Sequence, residues 1–137
     1  MRFLNSSTTL TLLLATLLST TTAIITGVTT PSPIYAYNPF TITLTTADYI
    51  QSVYDVAVAF GITPSPGLPG SLGTVITTAY LGPAKSNVLG GLTFQGTLPA
   101  GTGNGEYVLT ASVFSLFGVG DSPSLQEFNT TVEVAGF

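Results

Sequence analysis

The chain has no cysteine, no histidine and no tryptophan, and only two cations among 137 residues, Arg2 and Lys85. Each absence removes a class of function. Without cysteine there are no disulfides, no thiol catalysis and no ordinary structural zinc site. Without histidine the Ser-His-Asp arrangement, the usual general base and the commonest metal ligand are missing. Phosphate-backbone binding needs clustered Lys and Arg, so nucleic acid and anionic membrane surfaces are excluded as partners. Long hydrophobic runs are absent too. The apolar-biased stretch Leu10 to Leu18 is too short to span a bilayer, and membrane insertion is not expected. The final residues TTVEVAGF do not form a lipid-anchor signal.

That short stretch has another reading. Arg2 precedes it, and Thr21 and Ala23 follow at the spacing of a signal-peptidase site. Residues 1–23 therefore read as a secretory signal peptide cleaved after Ala23. Residues 24–137 are then a single secreted domain, extracellular and soluble. Its polar surface is Thr, Ser and Asn, with Lys85 facing the acids Asp48, Asp55, Glu106, Asp121, Glu127 and Glu133. Its β-branched and aromatic content is high enough to build a core without staples.

Seven strands are predicted: 24–29, 40–46, 53–61, 74–81, 92–98, 107–117 and 128–134. The clearest is FTITLTT, where Phe40, Ile42 and Leu44 alternate with Thr41, Thr43 and Thr45. The stretch DYIQSVYDVAVAFG at 48–61 fits both helix and strand periods. Its Val and Ile content and its stop at Gly61 favour a strand from Val53, led in by a helical turn over 48–52. The connections TPSPGLPGSLG, LGPAKSNVLGG, PAGTGNG and GVGDSPSLQ are rich in Pro and Gly. Short strands broken in this way indicate an all-β fold, an immunoglobulin-like antiparallel β-sandwich of about seven strands. Tyr107, after a Gly-rich turn, occupies the place of the tyrosine corner of such domains.

No residue set supplies an enzyme mechanism, a metal site or a cofactor site. Asp48 with Asp55, and Glu127 with Glu133, are solvated charges rather than a glycosidase pair, and no Asp-rich calcium loop is present. GTGNG at 101–105 lacks the phosphate-loop pattern, and Asn104-Gly105 reads as a hairpin turn. Asn129-Thr130-Thr131 is a glycosylation sequon with Asn129 facing outward, while the sequon at Asn5 falls in the signal peptide. Tyr35, Tyr37, Tyr49, Tyr54 and Tyr80 are candidate surface aromatics.

Read together, DYIQSVYDVAVAFG, PGSLGTV, YLGPAKSN and SVFSLFGVGDSPSLQEFNTTV resemble the necrosis-inducing secreted protein family of fungi, in matching order from Thr45 to Val134. The resemblance implies a secreted effector that binds plant receptor-associated immune kinases, suppresses pattern-triggered immunity and in some members provokes cell death. Translocation into host cells is then expected, though no uptake motif is visible. Some members continue into a C-terminal tail beyond the position of Phe137. The partner-binding residues are expected in the matching loops and beside them: Tyr49, Gln51, Tyr54, Lys85, Asn87 and Asp121. The rival readings are a binding module for cell-wall polysaccharide and a surface protein of the fungus itself. Each uses the same non-catalytic β domain.

Overall fold

The computed structural model describes residues 21–136. The signal peptide expected over 1–23 lies outside them apart from Thr21, Thr22 and Ala23. Eight strands follow in order: β1 Ala23–Thr29, β2 Ile34–Tyr35, β3 Phe40–Asp48, β4 Val53–Pro64, β5 Thr74–Tyr80, β6 Leu92–Gly96, β7 Gly105–Phe117 and β8 Ser122–Ala135. They form two sheets, one of order β1-β3-β6 and one of order β2-β8-β7-β4-β5. The all-β sandwich is the expected one. Its pairings are antiparallel except for β2 on β8, where Ile34 and Tyr35 run parallel to Val134 and Ala135.

The alternation in β3 does what the sequence implies. Phe40, Ile42 and Leu44 are buried, and the intervening threonines are not. Facing them from the larger sheet are Val58, Phe60, Leu109, Ala111, Val113, Val132 and Val134. Phe60 and Phe94 meet across the two sheets with ring centroids 5.2 Å apart. A fully buried Phe contributes about 2–3 kcal/mol through apolar burial. Packing of this kind carries a domain that has no disulfide.

Four local expectations are corrected. The last strand begins at Ser122 rather than at residue 128. Beyond the short β2 contact, β8 is an edge, so Pro123 costs no ladder bond toward a further strand. Residues 49–52 form bends and not a helical turn, because β3 runs through Asp48 and leaves only a short link to β4. The GTGNG segment is not a hairpin: β6 pairs with β3 and β7 with β4 and β8, so it crosses from one sheet to the other. Tyr107 packs half-buried against the core, and its hydroxyl has no backbone partner among the described residues, so no tyrosine corner forms.

Candidate functional site

The larger sheet has one face in the core and one outside. Its ladder register lines the outward residues into rows. Tyr80 of β5, Ala57 of β4, Phe114 of β7 and Leu125 of β8 form one row. The next is Thr78, Ala59, Ser112 and Glu127. Two residues further on, Gly61, Thr110 and Asn129 form a third.

The third row is covered over Gly61 and Thr110, while Asn129 at its edge stays exposed. The segment after β4 folds back over it, which requires glycine at two places. A Cβ on Gly61 would lie 2.2 Å from the Leu72 carbonyl oxygen. Gly73 sits at φ +72°, and a Cβ there would meet the Ile62 carbonyl oxygen at 2.4 Å. The fold-back buries Thr63 and Thr110 although both face outward. It leaves a crevice of about 270 Å³ between the loop and β7–β8.

The first row is bare. Ala57, Ala59 and Ser112 floor a trough of about 400 Å³, with Tyr80, Phe114 and Leu125 on its rim. These rim residues are 66 %, 39 % and 75 % exposed. The Tyr80 hydroxyl lies 2.9 Å from that of Tyr54, bracing one wall. An aromatic rim around small floor residues is the composition of a contact surface rather than of a solvated face.

The loops at the same end are tied to the scaffold by side chains. Asn87, at φ 56°, uses its whole amide. Its Oδ1 accepts from the Val53 N–H at 3.1 Å and the Ala23 N–H at 3.4 Å, and its Nδ2 donates to the Val53 carbonyl at 3.0 Å. Ser86 Oγ accepts from the Asp55 N–H at 2.8 Å and donates to the Gly82 carbonyl at 2.7 Å. These bonds serve the backbone where a bulge between Asp55 and Ala57 breaks the β4–β7 ladder. Lys85 ends a 3-10 turn, Pro83–Lys85, with its Nζ 5.0 Å from the centre of the Phe94 ring. Tyr49 is half-buried edge-on to Phe117, centroids 6.1 Å apart. Its N–H donates to the Thr22 carbonyl at 3.2 Å, and the Thr22 hydroxyl donates to its carbonyl. Thr22 and Ala23 are thus built into the fold, and the cleavage point expected after Ala23 falls inside β1. Gln51 is exposed beside Gly118, and Asp121 sits in the β7–β8 turn, its N–H bonded to the Gly118 carbonyl at 3.3 Å.

The six residues expected at a binding surface therefore gather at one end of the sandwich, where β4 begins and β5 and β7 end. They do not form one patch. Gln51 and Asp121 are on the tip, Tyr54 is on the trough wall, and Asn87 is committed to holding the loop. Phe114 and Leu125 escaped the sequence reading. Phe114 breaks the alternation of Leu109, Ala111, Val113 and Ser115 and so had to face outward. Leu125 lies in a stretch read as loop. Of the surface tyrosines, Tyr35, Tyr37 and Tyr80 are exposed, and Tyr49 and Tyr54 are half-buried.

The carboxylates are dispersed. Asp48 is exposed at the end of β3, whereas Asp55 points into the core at 2 % exposure. Its Oδ1 accepts from the Ser115 hydroxyl at 2.6 Å. Burial raises its pKa, and the Ser115 bond offsets part of that rise. No group of three or more metal-ligating side chains occurs among the described residues.

The fold and this face define a small two-sheet β-sandwich with an open apolar patch on its larger sheet. Its likeness to solved structures is one of fold alone. A superoxide reductase (neelaredoxin) from Ignicoccus hospitalis matches with TM-score 0.51 and 16% identity, over 83% of this chain and 80% of that one. A cellulose-active polysaccharide monooxygenase from M. thermophila matches with TM-score 0.53 and 18% identity, over 81% of this chain and 56% of that one. In sequence, residues 21–133 match the Nis1 family, and the chain belongs to it. It is 41% identical over 121 residues to necrosis-inducing secreted protein 1 of Colletotrichum orbiculare, covering 88% of this chain and 75% of that protein. Identity to the protein of the same name from Colletotrichum higginsianum is also 41%, over 109 residues, 79% of this chain and 76% of that one.

Proposed function

We propose that this protein is a secreted fungal effector that acts by its surface rather than by catalysis, docking on plant receptor-associated immune kinases and suppressing their signalling, with cell death as a further outcome. The reading is supported by the family, whose relatives carry the name necrosis-inducing secreted protein. The observation that carries the docking part is the bare row Tyr80, Ala57, Phe114 and Leu125. Apolar side chains left open at one end of a sheet face keep apolar surface in water that a partner would bury, and patches of this kind mark protein contacts.

The test is a titration of the secreted protein into kinase assays of such receptor-associated kinases, with a heat-denatured sample as control. Folded protein inhibits in a dose-dependent way, and the double substitution Phe114→Ser with Leu125→Ser weakens inhibition at least tenfold while stability changes by less than about 1 kcal/mol. Absence of binding and inhibition across several kinases overturns the reading. Retention on cellulose, chitin or β-glucan, lost in the same double variant, would instead assign the trough to sugar stacking, which Tyr80 and Phe114 flanking the small Ala57 also suit.

A further inference from the structure

We infer that Asn129 carries an N-linked glycan that roofs the crevice under the Ser65–Ser71 loop and confines protein contacts on the outer face to the Tyr80–Leu125 end. The inference rests on passage through the secretory pathway and is independent of the kinase reading.

Four observations place the sugar. Asn129 opens the sequence Asn129-Thr130-Thr131, the acceptor pattern for oligosaccharide transfer. It is exposed on the outward face of β8, with Thr131 exposed on the same face and Thr130 turned the other way. Its side-chain amide makes no hydrogen bond among the described residues, so substitution at Nδ2 removes no internal contact. Asn129 is also a wall of the crevice, with Thr63, Pro66, Leu68, Val108 and Thr110.

The transfer precedes pairing of β8 with β7, when the segment is still flexible. Nδ2 attacks the anomeric carbon of a lipid-diphosphate-linked oligosaccharide. The new N–C bond forms as the bond from that carbon to the phosphate oxygen breaks. Lipid diphosphate leaves with the electron pair, and the amide nitrogen gives up one of its two protons to a base of the transferase. Nothing is oxidised or reduced.

After folding, the first sugar stands beside the loop. Leu68 is 62 % exposed there, between Pro66 and Pro69, and the apolar face of an N-acetylglucosamine ring covers it. Along β8, Leu125 is four residues away, about 13 Å at the rise of an extended strand. A branched glycan therefore covers the loop end and stands next to the trough without entering it. The edge position of β8 gives it room, since β2 pairs only with Val134 and Ala135.

The experiment is secretion of the full chain, residues 1–137, from a yeast or filamentous fungal host. The intact mass of the purified protein is measured before and after an endoglycosidase, and peptides are mapped at Asn129. The expected result is a hexose series on two N-acetylhexosamines at Asn129, absent from Asn129→Gln and Thr131→Ala and retained in Thr131→Ser, whose hydroxyl keeps the acceptor pattern. Cleavage within residues 65–73 by proteinase K, mapped by mass spectrometry, should be at least threefold slower in the glycosylated protein than in the enzymatically deglycosylated one. Folded, secreted wild type with an unmodified Asn129 overturns the site. A glycan at Asn129 with no change in the rate of cleavage within residues 65–73 overturns the roofing.

Discussion

The two ends of one sheet face are finished in opposite ways. At the Asn129 end the chain covers its own outward residues, folding residues 65–72 over Gly61, Thr63 and Thr110 until the threonines are buried. At the Leu125 end, four residues away on the same strands, it covers nothing and presents Tyr80, Phe114 and Leu125 to solvent. Propensity does not explain the contrast, since both ends are β-rich stretches of β4, β7 and β8. Covering requires a loop and glycines that let backbone approach backbone. Leaving apolar residues bare requires some reason not to cover them. Apolar exposure beside a neighbouring region where the fold has a ready means of covering its surface is better evidence of an interface than exposure alone.

The largest effect comes from breaking the covered half. In Gly61→Val the new Cβ meets the Leu72 carbonyl at 2.2 Å, a contact with backbone that no rotamer relieves. The loop must lift. Urea denaturation should show a loss of about 3 kcal/mol, in the upper range for overpacking. Proteolysis should move to the Ser65–Ser71 segment, making both ends of the face open. Unchanged stability would mean that the close approach at Leu72 does not hold the loop.

Much of this was legible in the sequence, and the parts that were not share a cause. The strands β1, β3 and β7 follow from period-two patterns and Pro/Gly punctuation, because one face of each must be buried. The start of β8 was not legible, since Pro123 and the two serines between Asp121 and Gln126 read as loop. Only the edge position makes Pro123 compatible with pairing. The loops 49–52, 82–87 and 118–122 could be picked out, but neither their meeting at one end nor the trough could be seen. It depends on register across four strands, which brings Tyr80, Ala57, Phe114 and Leu125 together from separations of up to 68 positions. Asn87 looked like a surface polar residue because nothing local shows that its amide closes on Val53 and Ala23.

A smaller effect sharpens the comparison from beneath. Asp55 lies on the inner side of β4 at the bulge that precedes Ala57, behind the bare row, and burial raises its pKa. The folded state therefore prefers the protonated carboxyl more than the unfolded chain does. That contribution is complete below the unfolded value of about 4 and is lost as pH rises through the higher folded value. Wild type should lose stability through this group as pH rises above about 4. Asp55→Asn cannot ionise, and its Oδ1 still accepts from Ser115, so the loss over the same range should shrink. Urea midpoints of both proteins at several pH values decide it. An equal pH dependence in the two would show that Asp55 titrates as it does in the unfolded chain.

The smallest effect concerns the wall of the trough. The Tyr54 and Tyr80 hydroxyls, 2.9 Å apart, share a hydrogen bond, and that bond is the main cause raising the Tyr54 pKa, with burial and the Tyr80 charge adding to it. Beside a charged Tyr80 oxygen, Tyr54 would have to form a phenolate next to a phenolate, which holds Tyr54 neutral to higher pH. Alkaline titration followed by ultraviolet absorbance should show a late phase in wild type. Tyr80→Phe should abolish that phase and return Tyr54 toward the ordinary phenol range, while Tyr37→Phe should leave it in place. The pair spans from β4 to β5 across the rim, so a late phase reports that the wall is closed in solution. A single phase in wild type would mean that the rings move independently, and the bare end would then be a loose apolar surface rather than a shaped one.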